Sequence, residues 1–240
     1  MIEQLKVRRR PQPEEVGIRI LYEDAAVLVL DKPAGMVVHP TYRNSSGTLL
    51  NGVLWHLRDR PGTNPGILTR LDKDTSGLVV IGIDAASHAT MQKDAHAGRV
   101  TKEYLAIVAG TPSPPSGTIS LPLGRDAADR RIVVVRADGQ ACETRYDTLS
   151  TWSTTSAATS ALRCVPITGR THQIRVHLSA SGWPIVGDRV YGGAGATDDA
   201  SRQALHAWRI RLPHPVTRQP LSFEAPIPDD LALLVQNFTL

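Results

Sequence analysis

The chain has 240 residues, 41% of them apolar, enough to bury the core of one large domain or two small ones. Its formal net charge of +4 suits a nucleic-acid partner without requiring one. Two distant cysteines, Cys142 and Cys164, exclude a disulfide framework and a zinc site, and no apolar run approaches the roughly 18 residues of a membrane span.

The chain opens with "MIEQLKVRRRPQPEEVG", a basic cluster with no apolar stretch after it, which excludes a secretory signal. A cytoplasmic protein is therefore expected. Residues 1–16 are polar and Pro-punctuated, read as a flexible basic arm, and one folded domain is expected over residues 17–240. "IRILYEDAAVLVLDKPAG" predicts two strands around Glu23 and Asp24, the second stopping at Pro33 and Gly35. Leu49, Leu50, Val53, Leu54 and Leu57 then fall at helical spacing, and "RDRPGTNPG" ends that helix.

"ILTRLDKDTSGLVVIG" follows, with a charged turn-forming loop set between two apolar runs. Such a loop is ordinarily a solvated turn whose Asp72 or Thr75 bonds its own backbone. It can equally place Asp72 as a nucleophile or base at the mouth of a rigid sheet. Asp84 is positioned to cap a helix through about His96, ended by Gly98. "VTKEYLAIVAG" reads as a strand in which Lys102, Tyr104 and Ala106 share a face. "RRIVVVRA", "CETRYDTLS" and "SALRCVPI" are further strands at antiparallel spacing.

In "TGRTHQIRVHLSASGWP" the period changes to helical, with Thr171 as cap, Ile174 and Leu178 on one face, and Gly182 and Pro184 as the stop. Arg170 precedes free helical N–H groups, a site for a phosphate, and Arg175 lies within the helix where it can lean toward a carboxylate. His172 and His177 are five apart, the wrong interval for one helix face, so no metal site is expected there. The tail, "HAWRIRLPHPVTRQPLSFEAPIP", reads as extended edge strands because of its prolines. Strands dominate and do not alternate with helices, which predicts an α+β fold with a mixed, largely antiparallel sheet and flanking helices.

Taken in order, "ILYEDAAVLVLDKPAGMVVHP", "RLDKDTSGLVV", "KEYLAIVAG", "TGRTHQIRVHLSASGWPIVGDRVYG" and "LHAWRIRLPHP" resemble the RluA-type family of RNA pseudouridine synthases over nearly all of the chain from Gly17. The resemblance implies a single catalytic domain with a cleft across the sheet, no metal and no organic cofactor. It makes Asp72 the catalytic aspartate, Arg175 its basic partner and Tyr104 the residue that stacks on the target base. The implied reaction is isomerisation of uridine in ribosomal or transfer RNA: the C1′–N1 bond breaks, the uracil turns, and C5 joins C1′. Whether the aspartate attacks the sugar, adds to the base or removes a 2′ proton stays open. The uridine must be flipped out of its stack at a cost of a few kcal/mol, of which stacking on an aromatic ring returns about 1–3 kcal/mol.

RNA contacts are expected from Arg70, Arg170 and His172, with the Arg8-Arg9-Arg10 arm as a further one, and the protein is expected to act as a monomer. Two departures from the family pattern stand out. Thr69 occupies the position where a His often precedes the RLD element, so local RNA contacts are expected to differ. The residues before Gly17 are too few for the S4-type RNA-binding module of many relatives, which predicts weaker and more salt-sensitive binding. A hydrolase built on Asp72 and Asp74 is the competing reading, but glycosidases need two carboxyls flanking the bond, which two residues so close in one loop seldom supply.

Overall fold

Every residue of Ser76–Gly82 is buried, so this strand needs sheet neighbours on both edges and packing on both faces. The computed structural model describes residues 11–41, 44–153, 158–192 and 200–235 and supplies both. In chain order the elements are β1 (Arg19–Glu23), β2 (Val27–Lys32), α1 (Leu49–His56), β3 (Gly66–Ile67), β4 (Ser76–Gly82), α2 (Ala85–His96), β5 (Thr101–Ala109), β6 (Ser116–Ile119), β7 (Leu123–Arg125), β8 (Val133–Val135), β9 (Thr144–Ser153), β10 (Ala158–Pro166), α3 (Gln173–Ala180), β11 (Leu205–Pro213), β12 (Pro220–Glu224) and α4 (Asp229–Leu234).

The main sheet runs β1-β2-β4-β11-β5-β10-β9-β6, with β12 also on β11 and β3 also on β4, while β7 and β8 form a separate hairpin. Its pairings are antiparallel except β4 with β11, where His206 lies opposite Ser76 and Ala207 opposite Gly77. The mixed, largely antiparallel α+β architecture expected from the sequence is the one observed. The helices begin where side chains satisfy their first N–H groups. Thr48 and Asn51 form a reciprocal capping box at α1, and the Asp84 carboxylate accepts from Ala86 and Ser87 at α2.

The tail corrects the expectation of edge strands for β11, while β12, paired with β11 alone, meets it. β11 is interior, between β4 and β5, and most of it is buried. Its one proline, Pro213, is its last residue, so the ladder donors of Leu205–Leu212 are intact and nothing confines it to an edge. The HP pair that follows has a structural use. His214 Nδ1 accepts from the amides of Val216 and Thr217, and its Nε2 donates to Asp24, tying the β11–β12 turn to the start of the sheet. Residues 11–16 are partly docked: Asn51 donates to the Gln12 carbonyl, Glu14 donates its N–H to the Asn51 carbonyl, and its carboxylate accepts from Gly47. Arg8, Arg9 and Arg10 lie outside the described residues.

Two core clusters meet across the sheet. One joins β5, β10, α3 and β11; the other joins β2, β4 and α1; Tyr104 packs against both. Their junction depends on Gly77, whose φ is +109°, and a Cβ there would lie 2.2 Å from the Ala207 carbonyl oxygen. Gly77→Ala is therefore expected to destabilise by at least about 3 kcal/mol, read as a lower urea midpoint, because both the backbone conformation and the strand spacing must give. An unchanged midpoint would mean that β4 and β11 can separate at no cost.

Candidate active site

Five charged or hydroxyl-bearing residues in a row, Asp72–Ser76, leave the sheet plane just before β4 and return to it, so rigid strands hold a polar loop. Lys32 holds it from below. This side chain is fully buried, and its Nζ donates to the carbonyls of Pro33 at 2.8 Å, Met36 at 2.9 Å and Lys73 at 2.9 Å. From the other side Arg202 donates to the Asp74 carbonyl and the Ser76 hydroxyl, and its guanidinium is gripped by Asp230 of α4. Gln203 donates to the Thr75 hydroxyl. The loop is thus tied at four successive positions, through the carbonyls of Lys73 and Asp74 and the hydroxyls of Thr75 and Ser76, which fixes where the Asp72 side chain emerges.

Burial pushes the Lys32 ammonium down to about 8, with Asp74 opposing that shift. Three carbonyls need three N–H donors, and a neutral amine has two. Activity is expected to decline as pH rises through about 8, and Lys32→Met to lose this limb together with most of the activity and at least about 2 kcal/mol of stability. A pH–rate profile of the variant that keeps the same alkaline limb would remove Lys32 from that role.

Asp72 faces a cleft of about 820 Å³. It is the one carboxylate among the described lining residues, against Arg70, Lys102, Arg125, Arg170 and Arg175 and the imidazoles of His39 and His172. Arg175 Nη1 donates to Asp72 Oδ2 at 2.9 Å, across 103 positions of sequence. The same guanidinium gives Nε at 2.7 Å and Nη2 at 2.8 Å to Asp188, whose side chain is wholly buried. Burial alone would raise the Asp188 carboxyl. The hydrogen bonds and charge of Arg175, with the Tyr191 and Val190 amides, outweigh it and hold the group below its usual range. Asp188 therefore fixes the fork of Arg175, leaving one nitrogen for Asp72.

Tyr104 and Lys102 share the face of β5 that floors the cleft. Burial first, and Asp72 second, push the Tyr104 phenol well above its ordinary value, so it is a neutral ring at every physiological pH. Lys102 is half-buried, its ammonium lowered by burial, with no hydrogen-bond partner among the described residues. The six residues expected from the sequence, Asp72, Tyr104, Arg175, Arg70, Arg170 and His172, all line this one cleft. Thr69 lines it too, and its hydroxyl accepts from the Val80 amide at 3.0 Å, a backbone tie.

The α3 terminus differs from expectation. Thr171 is not the cap; His172 is, in the left-handed conformation (φ 54°, ψ 17°) and without a side-chain cap bond. Gln173 reaches back instead, accepting from the Thr168 hydroxyl and the Arg170 amide and donating to Glu143 and Thr144. This folds residues 168–172 over the cleft rather than into the helix. His177 is buried between the Thr144 hydroxyl and the Leu121 carbonyl, facing away from His172's surroundings. Lys32, Asp188 and Arg202 were not singled out by sequence reasoning; the one signal for Lys32 was a lysine closing a strand whose first four residues are apolar.

A carboxylate paired with an arginine, beside a partly buried aromatic ring, in a groove lined with basic side chains, is an arrangement suited to a planar base on a phosphate backbone. Solved structures share this fold: human RNA pseudouridylate synthase domain containing 1 superposes with a TM-score of 0.73 at 26% identity, covering 89% of this chain and 84% of that one. The chain belongs to the RNA pseudouridylate synthase family, in its RluA-type branch, the family model matching residues 26–180. An uncharacterized RNA pseudouridine synthase of Bacillus subtilis is 41% identical over 228 residues, 93% of this chain and 74% of that one. Ribosomal large subunit pseudouridine synthase D of Nitrosomonas europaea is also 41% identical, over 94% of this chain and 66% of that one. No helix among the described residues is long and apolar enough to cross a membrane.

Proposed function

We propose that the chain converts specific uridines of large-subunit ribosomal RNA to pseudouridine in the cytoplasm, with Asp72 as the catalytic aspartate, Arg175 holding it ionised and aimed, and Tyr104 stacking on the flipped uracil. The observation that carries the reading is the 2.9 Å Arg175–Asp72 pair set over Tyr104 in a cleft with no second carboxylate among its described lining residues. Asp74, the second acid of the hydrolase reading, is not among those residues, so no paired-carboxylate geometry supports glycoside hydrolysis. The choice of ribosomal over transfer RNA follows the names of relatives such as the ribosomal large subunit pseudouridine synthases D of Nitrosomonas europaea and Xanthomonas campestris.

In this reading Arg70, Lys102, Arg170 and His172 meet the RNA, and the base enters a pocket from which the Asp72 carboxylate reaches ribose or uracil. The chemistry balances without a co-reactant: the C1′–N1 bond breaks, a C1′–C5 bond forms, C5 loses a proton and N1 gains one. Pseudouridine mapping of total RNA in a deletion strain tests it. Wild type is expected to restore one or a few lost sites in large-subunit ribosomal RNA that Asp72→Asn does not. A map in which transfer RNA sites disappear instead would move the substrate, and equal restoration by Asp72→Asn would overturn the role of Asp72.

A further inference from the structure

His172 is one of two residues other than glycine held at positive φ among the described residues, and it sits at the cleft wall with its Nε2 3.8 Å from Asp72 Oδ2. That separation is too long for a hydrogen bond, and Oδ2 already accepts from Arg175. On its other side, His172 Nδ1 lies 2.7 Å from the Tyr191 hydroxyl. The same hydroxyl accepts from the Val133 amide at 3.0 Å. A backbone N–H can only donate, and the described residues offer the phenolic hydrogen no other acceptor, so the arrangement that leaves it paired is donation to Nδ1. Nδ1 is then an acceptor, and a neutral imidazole must carry its hydrogen on Nε2, the atom that faces the cleft.

Burial lowers the imidazole below its usual value, with Asp72 and Arg175 opposing each other, which keeps the neutral form in place. Tyr191 is not a cleft residue. Its ring packs on the small core of Leu123, Val133, Cys142 and Val176, the Arg175 guanidinium lies 4.9 Å from its centre, its N–H donates to Asp188, and its carbonyl accepts from Ser179. One turn, Asp188–Tyr191, therefore orients two neighbours of Asp72: Arg175 through a carboxylate and His172 through a phenol.

We propose that Tyr191 is a positioning residue that fixes His172 as its Nε2–H tautomer, and that this N–H donates to a carbonyl oxygen of the uracil as the C1′–N1 bond breaks. The second half rests on the uridine-isomerising reading above. When that bond breaks, its electron pair stays with the uracil and spreads onto the carbonyl oxygens; when C5 attacks C1′ the pair returns to the new bond. A fixed N–H beside Asp72 meets the charge where it appears and needs no reorganisation. The left-handed backbone at His172 is what turns the ring edge inward.

The test has two readouts on the full chain. Nitrogen-15 shifts of the His172 ring at neutral pH are expected to show hydrogen on Nε2 alone, and Tyr191→Phe, which keeps the ring packing, to show a tautomer mixture. Hydrogen on Nδ1, an imidazolium, or an unchanged ring in Tyr191→Phe overturns the relay. Single-turnover rates on unmodified large-subunit ribosomal RNA transcript then separate His172→Gln, whose amide N–H sits near the Nε2 position, from His172→Asn, which tolerates the left-handed backbone but falls short. At saturating enzyme, where RNA affinity does not enter, His172→Gln is expected within about tenfold of wild type and His172→Asn about 10²–10³-fold slower. An Asn variant as fast as the Gln variant overturns the donor role. Absence of pseudouridine formation by the wild type itself would remove the uracil half, while the nitrogen shifts still judge the relay.

Discussion

Asp72→Asn is expected to slow pseudouridine formation by at least about 10³-fold, with RNA affinity and urea midpoint close to wild type. Asparagine has the same shape, so its carbonyl oxygen can still accept from Arg175 Nη1, and the loop ties to Lys32, Gln203 and Arg202 do not involve the Asp72 side chain. What is lost is the charge and the basic oxygen. Single-turnover assays with saturating enzyme report the chemical step directly. A variant within tenfold of wild type would mean that the carboxylate does not take part.

The second large effect is expected at Arg175. Replacing it by Met leaves Asp188 wholly buried and without its ion-pair partner, which should cost about 3–5 kcal/mol of stability and also release Asp72. The pH dependence identifies the source. In the wild type the Asp188 carboxyl sits below its ordinary value, so its contribution is present above the unfolded-state value near about 4 and fades as pH falls through the lower folded value. In Arg175→Met burial is no longer outweighed, and the folded chain binds that proton more tightly than the unfolded chain. The variant should therefore gain stability on acidification, and its gap from wild type should narrow as pH falls from neutral toward the unfolded-state carboxylate value of about 4. A gap independent of pH would assign the loss to packing rather than to the buried charge of Asp188.

Asp72 and Arg175 were legible in local patterns, a charged loop between apolar strands and a short helix, whereas Tyr104, like most strand tyrosines a packing residue on its own showing, stood out only through the family resemblance. The supporting residues were not legible. Asp188 lies in "GDRVYG", which reads as a turn, and only burial against Arg175 shows that it orients the pair. Lys32 follows Asp31 at the end of β2, beside "PAG", and a charged pair there normally marks the surface. Its three carbonyl partners come from residues 33, 36 and 73, a convergence with no period to detect. Tyr191 acts through a hydrogen-bond relay spanning Val133 and His172, again invisible along the chain.

The fold shows the same division. α1 and α2 follow from apolar spacing and caps, since both are local. The position of β11 does not, because the prolines that suggest an edge lie at and beyond its end, and its parallel pairing with β4 is set by the Gly77–Ala207 approach. The left-handed turn at His172 was likewise hidden, since nothing in "GRTHQ" favours it over a cap at Thr171 except the Gln173 contacts that the fold completes.

The most direct measurement is tritium release from large-subunit ribosomal RNA transcript labelled at C5 of its uridines, incubated with the purified full chain. Joining C5 to C1′ expels the C5 hydrogen, so release should plateau at a fixed small number per RNA molecule, with no free uracil and with none released by Asp72→Asn. Free uracil, or release that Asp72→Asn sustains at the wild-type rate, would contradict the account.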